Sequence, residues 1–313
     1  ESIASKCRGI AAIVGTPYLT AEGPISAAAY IDPEGNIEYI GKRHVTARRE
    51  MGYIVGSSIG SHSIRLHGEV LNVVVGDDLS YIDDIDDDID AIISVNARRY
   101  GKGILTRRFD KVSHMAFSEG KTLVMVNQVG GSGDIVYDGT SGVLNSEGQL
   151  TMLLKSFEED MQIYNTKAEN KPFEVPFTTY KDRTRMIYEA ACLGLRDYFH
   201  KNGYQKACVG LSGGIDSAIV AVLAADALGG ENVRGVMLPS QYSSDHSIND
   251  AVALAKNLGM PYDIVPIQDM FDQMKKTLSP IFAGMSEDVT EENMQARIRG
   301  SLLMAISNKT GAI

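Results

Sequence analysis

A short apolar strand, Lys206 to Leu211, runs directly into Ser212-Gly213-Gly214-Ile215-Asp216-Ser217 and then into a helical stretch ending near Leu228. No other feature narrows the fold as far. A glycine-bearing loop that closes a buried strand and opens a helix lies at the carboxyl edge of an open α/β sheet, where such sheets bind ligands. Two more strands follow, Val233 to Leu238 and Tyr262 to Val265, with a helix expected between them from Asp245 to Leu258. Ile248, Ala251, Val252 and Ala255 give that helix one apolar face, and Gly259 fits the position just past its end. This alternation predicts a parallel, doubly wound sheet.

The loop has the chemistry of a phosphate grip. Gly210 and Leu211 carry the strand into it. Gly213 and Gly214 let the backbone approach an anion with no Cβ in the way. Consecutive amides before Ile215, with a helix dipole behind them, form an anion nest, and Ser212 and Ser217 add hydroxyls. Asp216 suits a phosphate site only with a cation such as Mg²⁺ between the two negative groups. No Lys follows the glycines, so this is not a Walker A loop. A glycine turn capped by Asp and Ser is the plain structural alternative.

Ser212 to Ser217 resembles the pyrophosphate loop (PP-loop) of the N-type ATP pyrophosphatases, among them the NAD, GMP and asparagine synthetases and tRNA-thiolating enzymes. Leu238-Pro239-Ser240-Gln241-Tyr242-Ser243-Ser244 resembles the adenine-side loop of NAD synthetases. Thr290 to Arg299 resembles their Glu-Asn-x-Gln-Ala-Arg-x-Arg helix. The three motifs, in this order, make the chain similar to NAD synthetases from about Tyr188 to Ile313. The resemblance implies ATP-dependent adenylylation of the deamido-NAD carboxylate, release of pyrophosphate, and displacement of AMP by ammonia. It implies that residues Gly210 to Ser217 bind ATP, with Ser212 and Asp216 in the catalytic step and Asp216 on Mg²⁺. Leu238 and Ser244 would face the adenine side, and Asn293 and Arg297 the deamido-NAD or the ATP phosphates. The second motif also reads as a strand exit and helix cap, and Arg297 and Arg299 as surface charges. A different PP-loop amide-forming or thiolating ligase, or a nucleotide-binding scaffold without turnover, are the other readings.

The first half reads as strands and turns. Ile10 to Val14 is a strand ending at Gly15; Ala27 to Ile31 and Ile37 to Ile40 flank the hairpin turn Asp32-Pro33-Glu34-Gly35-Asn36. Val70 to Val75, Ala91 to Val95 and Thr122 to Val126 follow, the last two separated by room for a helix. Val143 to Leu150 reads as a final hairpin. Val126 to Gly131, Asp138-Gly139-Thr140-Ser141 and Phe157-Glu158-Glu159-Asp160 resemble the nitrilase-like glutaminase domain of glutamine-dependent NAD synthetases. That resemblance implies an α-β-β-α sandwich in which Glu, Lys and Cys hydrolyse glutamine, the Cys as thiolate.

The chain departs from the family at those positions. Where the family has Cys-Glu-Asp after an apolar strand, this sequence has Gly76-Asp77-Asp78. The family's Asn-Ala-Ser-Pro is here Asn96-Ala97-Arg98-Arg99. Lys42 matches the family's Lys, but the aromatic-rich run after it is replaced by Thr46 to Tyr53. The general-base Glu has no counterpart, and Cys7, Cys192 and Cys208 are not replacements for the nucleophile. The expectation is a degenerate glutaminase serving as scaffold or oligomer surface, beside a synthetase using free ammonia.

Boundaries follow from composition. Residues 1–164 form the nitrilase-like domain, 165–177 a polar linker with two prolines, and 178–313 the PP-loop domain. The family continues past Ser307-Asn308-Lys309 with a further strand, so the second domain reads as truncated. Helical spacing of Met186, Ala190, Leu193 and Tyr198 up to Asn202-Gly203 opens it. The chain's net charge of −10, with no Lys/Arg-rich run, argues against a nucleic-acid surface. No apolar run spans a bilayer, and the scattered cysteines suit a reducing compartment, so the cytoplasm is expected; a first domain retained as an oligomer surface adds the expectation of a homo-oligomer. Asp83 to Asp90 reads as a solvated acidic helix face rather than a cation site, Gly130 to Gly133 as a turn, and His44, His62, His67 and His114 as surface or core residues.

Overall fold

The computed structural model describes residues 2–45, 53–81, 86–172 and 182–313. They divide into two compact units, Glu1–Gly130 with Asp134–Ala190, and Gly131–Gly133 with Ala191–Ile313.

The first unit packs two sheets face to face. An antiparallel meander of β1 (Ala12–Thr20), β2 (Gly23–Ile31) and β3 (Ile37–Gly41) forms one. The Asp32 carboxylate makes the β2–β3 turn by accepting from the amides of Glu34 and Asn36, at 3.0 and 2.8 Å. The other sheet begins with β4 (Ser63–Leu66), β5 (Glu69–Val75) and β6 (Ala91–Asn96); helix α1 (Ile104–Glu119) then leads to β7 (Thr122–Asn127). A two-stranded ribbon of β8 (Val129–Ser132) and β9 (Ile135–Asp138) precedes β10 (Gly142–Leu144) and β11 (Leu150–Leu153). The six-stranded order is β11-β10-β7-β6-β5-β4, parallel only at β5–β6 and β6–β7. Ala28 and Ile40 from one sheet pack on Ile64, Val73 and Val75 from the other. Helix α1 buries Phe109, Val112 and Ala116. These layers supply two sheets and one helix layer of the expected sandwich.

Two local expectations are corrected. The first strand does not stop at Gly15 but runs on to Thr20. Gly15 is small because a Cβ there would come within 3.1 Å of Val95 Cγ1, so it permits close sheet packing rather than a turn. Residues 86–90 are turn and coil, not helix. Asp90 accepts from the Val70 amide and Asp88 pairs with Arg65, which fixes the chain locally. Residues 83–85 of that acidic run, Thr46 to Gly52, and part of the 165–177 linker lie outside the described residues. No cluster of metal-ligating side chains occurs among the described residues, and none of their helices is long and apolar enough to cross a membrane.

The second unit is the predicted parallel sheet. Helix α2 (Arg183–Lys201) is followed by β12 (Ala207–Gly210), α3 (Ile215–Leu228), β13 (Val233–Met237), α4 (Asp245–Asn257), β14 (Tyr262–Ile264), α5 (Gln268–Leu278) and α6 (Val289–Thr310). All pairings in the order β12-β13-β14 are parallel. Phe199, Ala221, Ala225, Ala251 and Ala255 pack on Val233 and Met237 in one cluster, and Phe271, Met294 and Ile298 on Val236 in another. The sheet is therefore covered by α2, α3 and α4 through one cluster and by α5 and α6 through the other. Small alanines on α3 and α4 let those helices approach closely. A capping box of Asp288 and Glu291 starts α6, whose length places Gln295 and Arg299 beside the carboxyl ends of the strands.

Candidate nucleotide-binding site

The strand β12 ends at Gly210, and the Leu211 amide still donates to Val236 O at 2.9 Å, so the loop begins from a fixed point. Gly213 adopts φ +80°, a left-handed conformation open to glycine. A Cβ there would lie 2.4 Å from Ser247 O, so the loop rests directly on the first turn of α4. Ser212 and Ser217 fasten the loop to itself. Their hydroxyls are 3.0 Å apart, Ser212 Oγ accepts from the Gly214 amide at 3.2 Å, and Ser217 Oγ donates to Gly214 O at 2.9 Å. Gly214 is the amino-terminal cap of α3 and provides no side chain to satisfy the amides that follow. Ile215 and Asp216 are exposed in the first turn. The result is a set of amides and hydroxyls facing solvent at the positive end of a helix, which suits an anion.

Beside the loop is a cavity of about 320 Å³ lined by Gly210, Leu211 and Ser212, by Val236 to Pro239, and by Ser243, Ser247, Ile248, Arg299 and Leu303. Apolar walls with a polar rim suit a planar heterocycle next to a phosphate grip. Leu238 is buried, and its carbonyl accepts from Arg299 Nε at 3.1 Å. Arg299 is further held by Gln295 Oε1 at 3.4 Å. Ser244 caps α4, accepting from the Ser247 amide at 3.2 Å, and so supports the residue on which Gly213 rests.

Gly210, Leu211, Ser212 and Leu238 are thus brought around one cavity, with Gly213 to Ser217 continuing the loop from Ser212 and Ser244 capping the helix that supplies Ser247 to the lining. Asn293 and Arg297 are not among its lining residues. Both are exposed on α6, and Arg297 borders a groove with Met270, Met274 and Ile298. Arg299, whose charge was weighed above as a surface feature, is the α6 arginine that lines the cavity. Its spacing of four from Gln295 was the available signal. Ser247 was missed, although Ser244-x-x-Ser247 is a helix-cap pattern.

A second cavity, about 600 Å³, lies between the sheets of the first unit. Lys42, buried at 3% exposure, reaches Asp77 Oδ2 at 4.0 Å. Gly76 ends β5 with φ +59°, and a Cβ placed on it would lie 3.6 Å from Lys42 Nζ. Arg98 Nη2 is 2.9 Å from Asp77 Oδ1 and 3.3 Å from Gly76 O, while Nε donates to Asn96 Oδ1 at 3.1 Å. Burial pulls the Arg98 pKa down, and the Asp77 carboxylate opposes that shift. Lys42 and Gly76, paired above by resemblance, are therefore neighbours in space.

The NAD synthase family model matches residues 187–313. The match covers the phosphate loop, the cavity and α6. A glutamine-dependent NAD(+) synthetase from Synechocystis is 42% identical over 232 residues, covering 74% of this chain and 42% of that protein. One from Xylella fastidiosa strain 9a5c is 31% identical over 326 residues, covering 100% of this chain and 59% of that protein. The structure of the glutamine-dependent NAD+ synthetase from Acinetobacter baumannii in complex with ADP has a TM-score of 0.84 at 28% identity, covering 99% of this chain and 61% of that one. The chain thus spans between about two-fifths and three-fifths of the length of these relatives. Similarity to such synthetases extends through both units, and the nitrilase-like and PP-loop architectures expected from the sequence are those of this fold.

Proposed function

We propose that the chain performs ATP-dependent amidation of deamido-NAD to NAD through an adenylylated intermediate, with free ammonia as nitrogen donor. The single observation that carries this is the Ser212–Ser217 loop on its strand–helix junction, within the residues that match the NAD synthase family. In this reading the loop amides and the Ser212 and Ser217 hydroxyls hold the departing pyrophosphate, turning from one another to the phosphate oxygens. The cavity walls and Arg299 position the nucleotide. Asp216 is one exposed carboxylate at the loop mouth, a hard oxygen donor of the kind that binds Mg²⁺ together with phosphates and water. When bound, Mg²⁺ would neutralise charge developing on the leaving pyrophosphate. Asn293 and Arg297 are proposed to meet deamido-NAD, and the domain boundary is placed in residues 165–177.

Ammonia rather than glutamine follows from Gly76, which offers no nucleophile, and from Asp77, the sole carboxylate lining that cavity among the described residues, being paired with Arg98 and Lys42. The test is pyrophosphate release and NAD formation with ATP, deamido-NAD and saturating ammonium. Activity lost in Asp216→Ala is expected; no NAD under these conditions sinks the reading. A second reading, nucleotide binding without turnover, is favoured by the position of Asn293 and Arg297 outside the cavity. It predicts ATP binding by calorimetry with no pyrophosphate release.

A further inference from the structure

We propose that Gln295 is a positioning residue for nucleotide binding, one that orients the Arg299 guanidinium at the cavity without neutralising it. This rests on the reading of the loop and cavity of the second unit as an ATP site.

Arg299 carries only donors, and two of them meet neutral oxygens. Nε donates to Leu238 O at 3.1 Å, just past the end of β13, and Nη2 donates to Gln295 Oε1 at 3.4 Å, one turn earlier on α6. Nε and Nη2 share one edge of a guanidinium, so that edge is fixed to a strand exit and to a helix. No hydrogen bond or ion pair among the described residues uses Nη1, on a half-buried side chain that lines the cavity.

No carboxylate is bonded to it either. Glu287, Asp288, Glu291 and Glu292 border the neighbouring hollow that Arg299 also lines. Glu287 pairs with Lys275, Asp288 accepts from the Thr290 amide at 2.8 Å, and Glu291 accepts from the Asp288 amide at 2.8 Å. Glu292 is exposed. Among the described residues, none of the four makes a hydrogen bond or ion pair with Arg299.

The residue type at position 295 is then informative. A glutamate one turn before an arginine is a stabilising helical pair, and its hydrogen bond to the guanidinium is charge-assisted. A purely structural role would be served better by glutamate. Gln295, buried at 7% exposure, has nearly the same size and holds the guanidinium through an oxygen that brings no charge. The positive charge therefore stays available to the phosphates of a nucleotide, in a partly buried place where it acts more strongly than in water.

Calorimetric titration of the full chain with ATP, without deamido-NAD, tests this in Gln295→Met and Gln295→Glu, each also followed by thermal melting. Gln295→Met removes the acceptor and keeps the charge, and should lose about threefold in ATP affinity. Gln295→Glu keeps the acceptor and neutralises the charge. It should lose at least about tenfold, yet melt no lower than Gln295→Met. In an Arg299→Met background, Gln295→Met should cost no further affinity, because it acts through Arg299. The proposal is overturned if Gln295→Glu binds ATP as well as Gln295→Met does, if it melts below Gln295→Met, or if the double substitution loses more than Arg299→Met alone. ATP failing to bind the unsubstituted chain would remove the nucleotide reading and this inference with it. ATP binding that both substitutions leave unchanged would overturn this inference alone.

Discussion

Gly213 satisfies two demands at once, a left-handed backbone and contact with the backbone of α4. Gly213→Ala meets both. Its φ costs on the order of 1–3 kcal/mol, and the Cβ collides with a carbonyl that cannot rotate away as a side chain would. The loop is expected to move off Ser247, lowering Tm and weakening ATP binding by more than tenfold, measured by thermal melting and calorimetry. Gly76 is the opposite case. Its φ disfavours a side chain by about 1–2 kcal/mol, yet the space is open, so Gly76→Cys should fold. It should still release no ammonia from glutamine, because Arg98 and Lys42 already engage the one carboxylate lining the cavity among the described residues. Hydrolysis by Gly76→Cys would show that a base is present after all. His62 supplies a pH dependence. Its Nδ1 lies 2.9 Å from Val73 O and its buried Nε2 has no hydrogen-bond partner among the described residues, so protonation would place an unsatisfied N–H in the interior. Burial accordingly pushes its pKa down. The unfolded chain then binds the proton more readily, and stability is lost as pH falls through about 6.5 towards the lower folded pKa. Urea midpoints at neutral and mildly acidic pH should show this slope, and His62→Gln should flatten it.

At the scale of elements, what was legible in the sequence was local. The strand–loop–helix order, the Asp32 turn and the Gly259 stop depend on residues adjacent in the chain, and each is found where the pattern put it. What was not legible depends on distant partners. Gly15 was read as a stop because its packing against Val95, eighty positions away, leaves no local trace. The buried ion pair of Arg108 on α1 with Asp138 at the end of β9 was also invisible, although Asp138 stood in a quoted motif. Its two hydrogen bonds are both 2.9 Å, and neither side chain reaches solvent. Asp138→Ala should therefore cost about 3–5 kcal/mol, because it strands a buried guanidinium, and denaturant unfolding measures it. The candidate site divides the same way. Its phosphate loop could be read directly, whereas Arg299 and Arg297, two residues apart on α6, face different cavities only because a helix turns by about 200° over two residues.

At the scale of the whole molecule, the two units imply different dependences on nitrogen source. If the second unit takes ammonia from solution, the attacking species is NH₃, since the ammonium ion has no lone pair to displace AMP. At fixed total ammonium, the rate of NAD formation should then rise with pH in proportion to the free-base fraction. Rates collected at several pH values and ammonium concentrations should fall on one curve when plotted against NH₃, over the range where the protein stays folded. Glutamine in place of ammonium should give no NAD above background, with or without Gly76→Cys. If glutamine did support NAD formation at a rate independent of external ammonium, nitrogen would be passing from a working amidase, and the reading of the first unit would have to be abandoned.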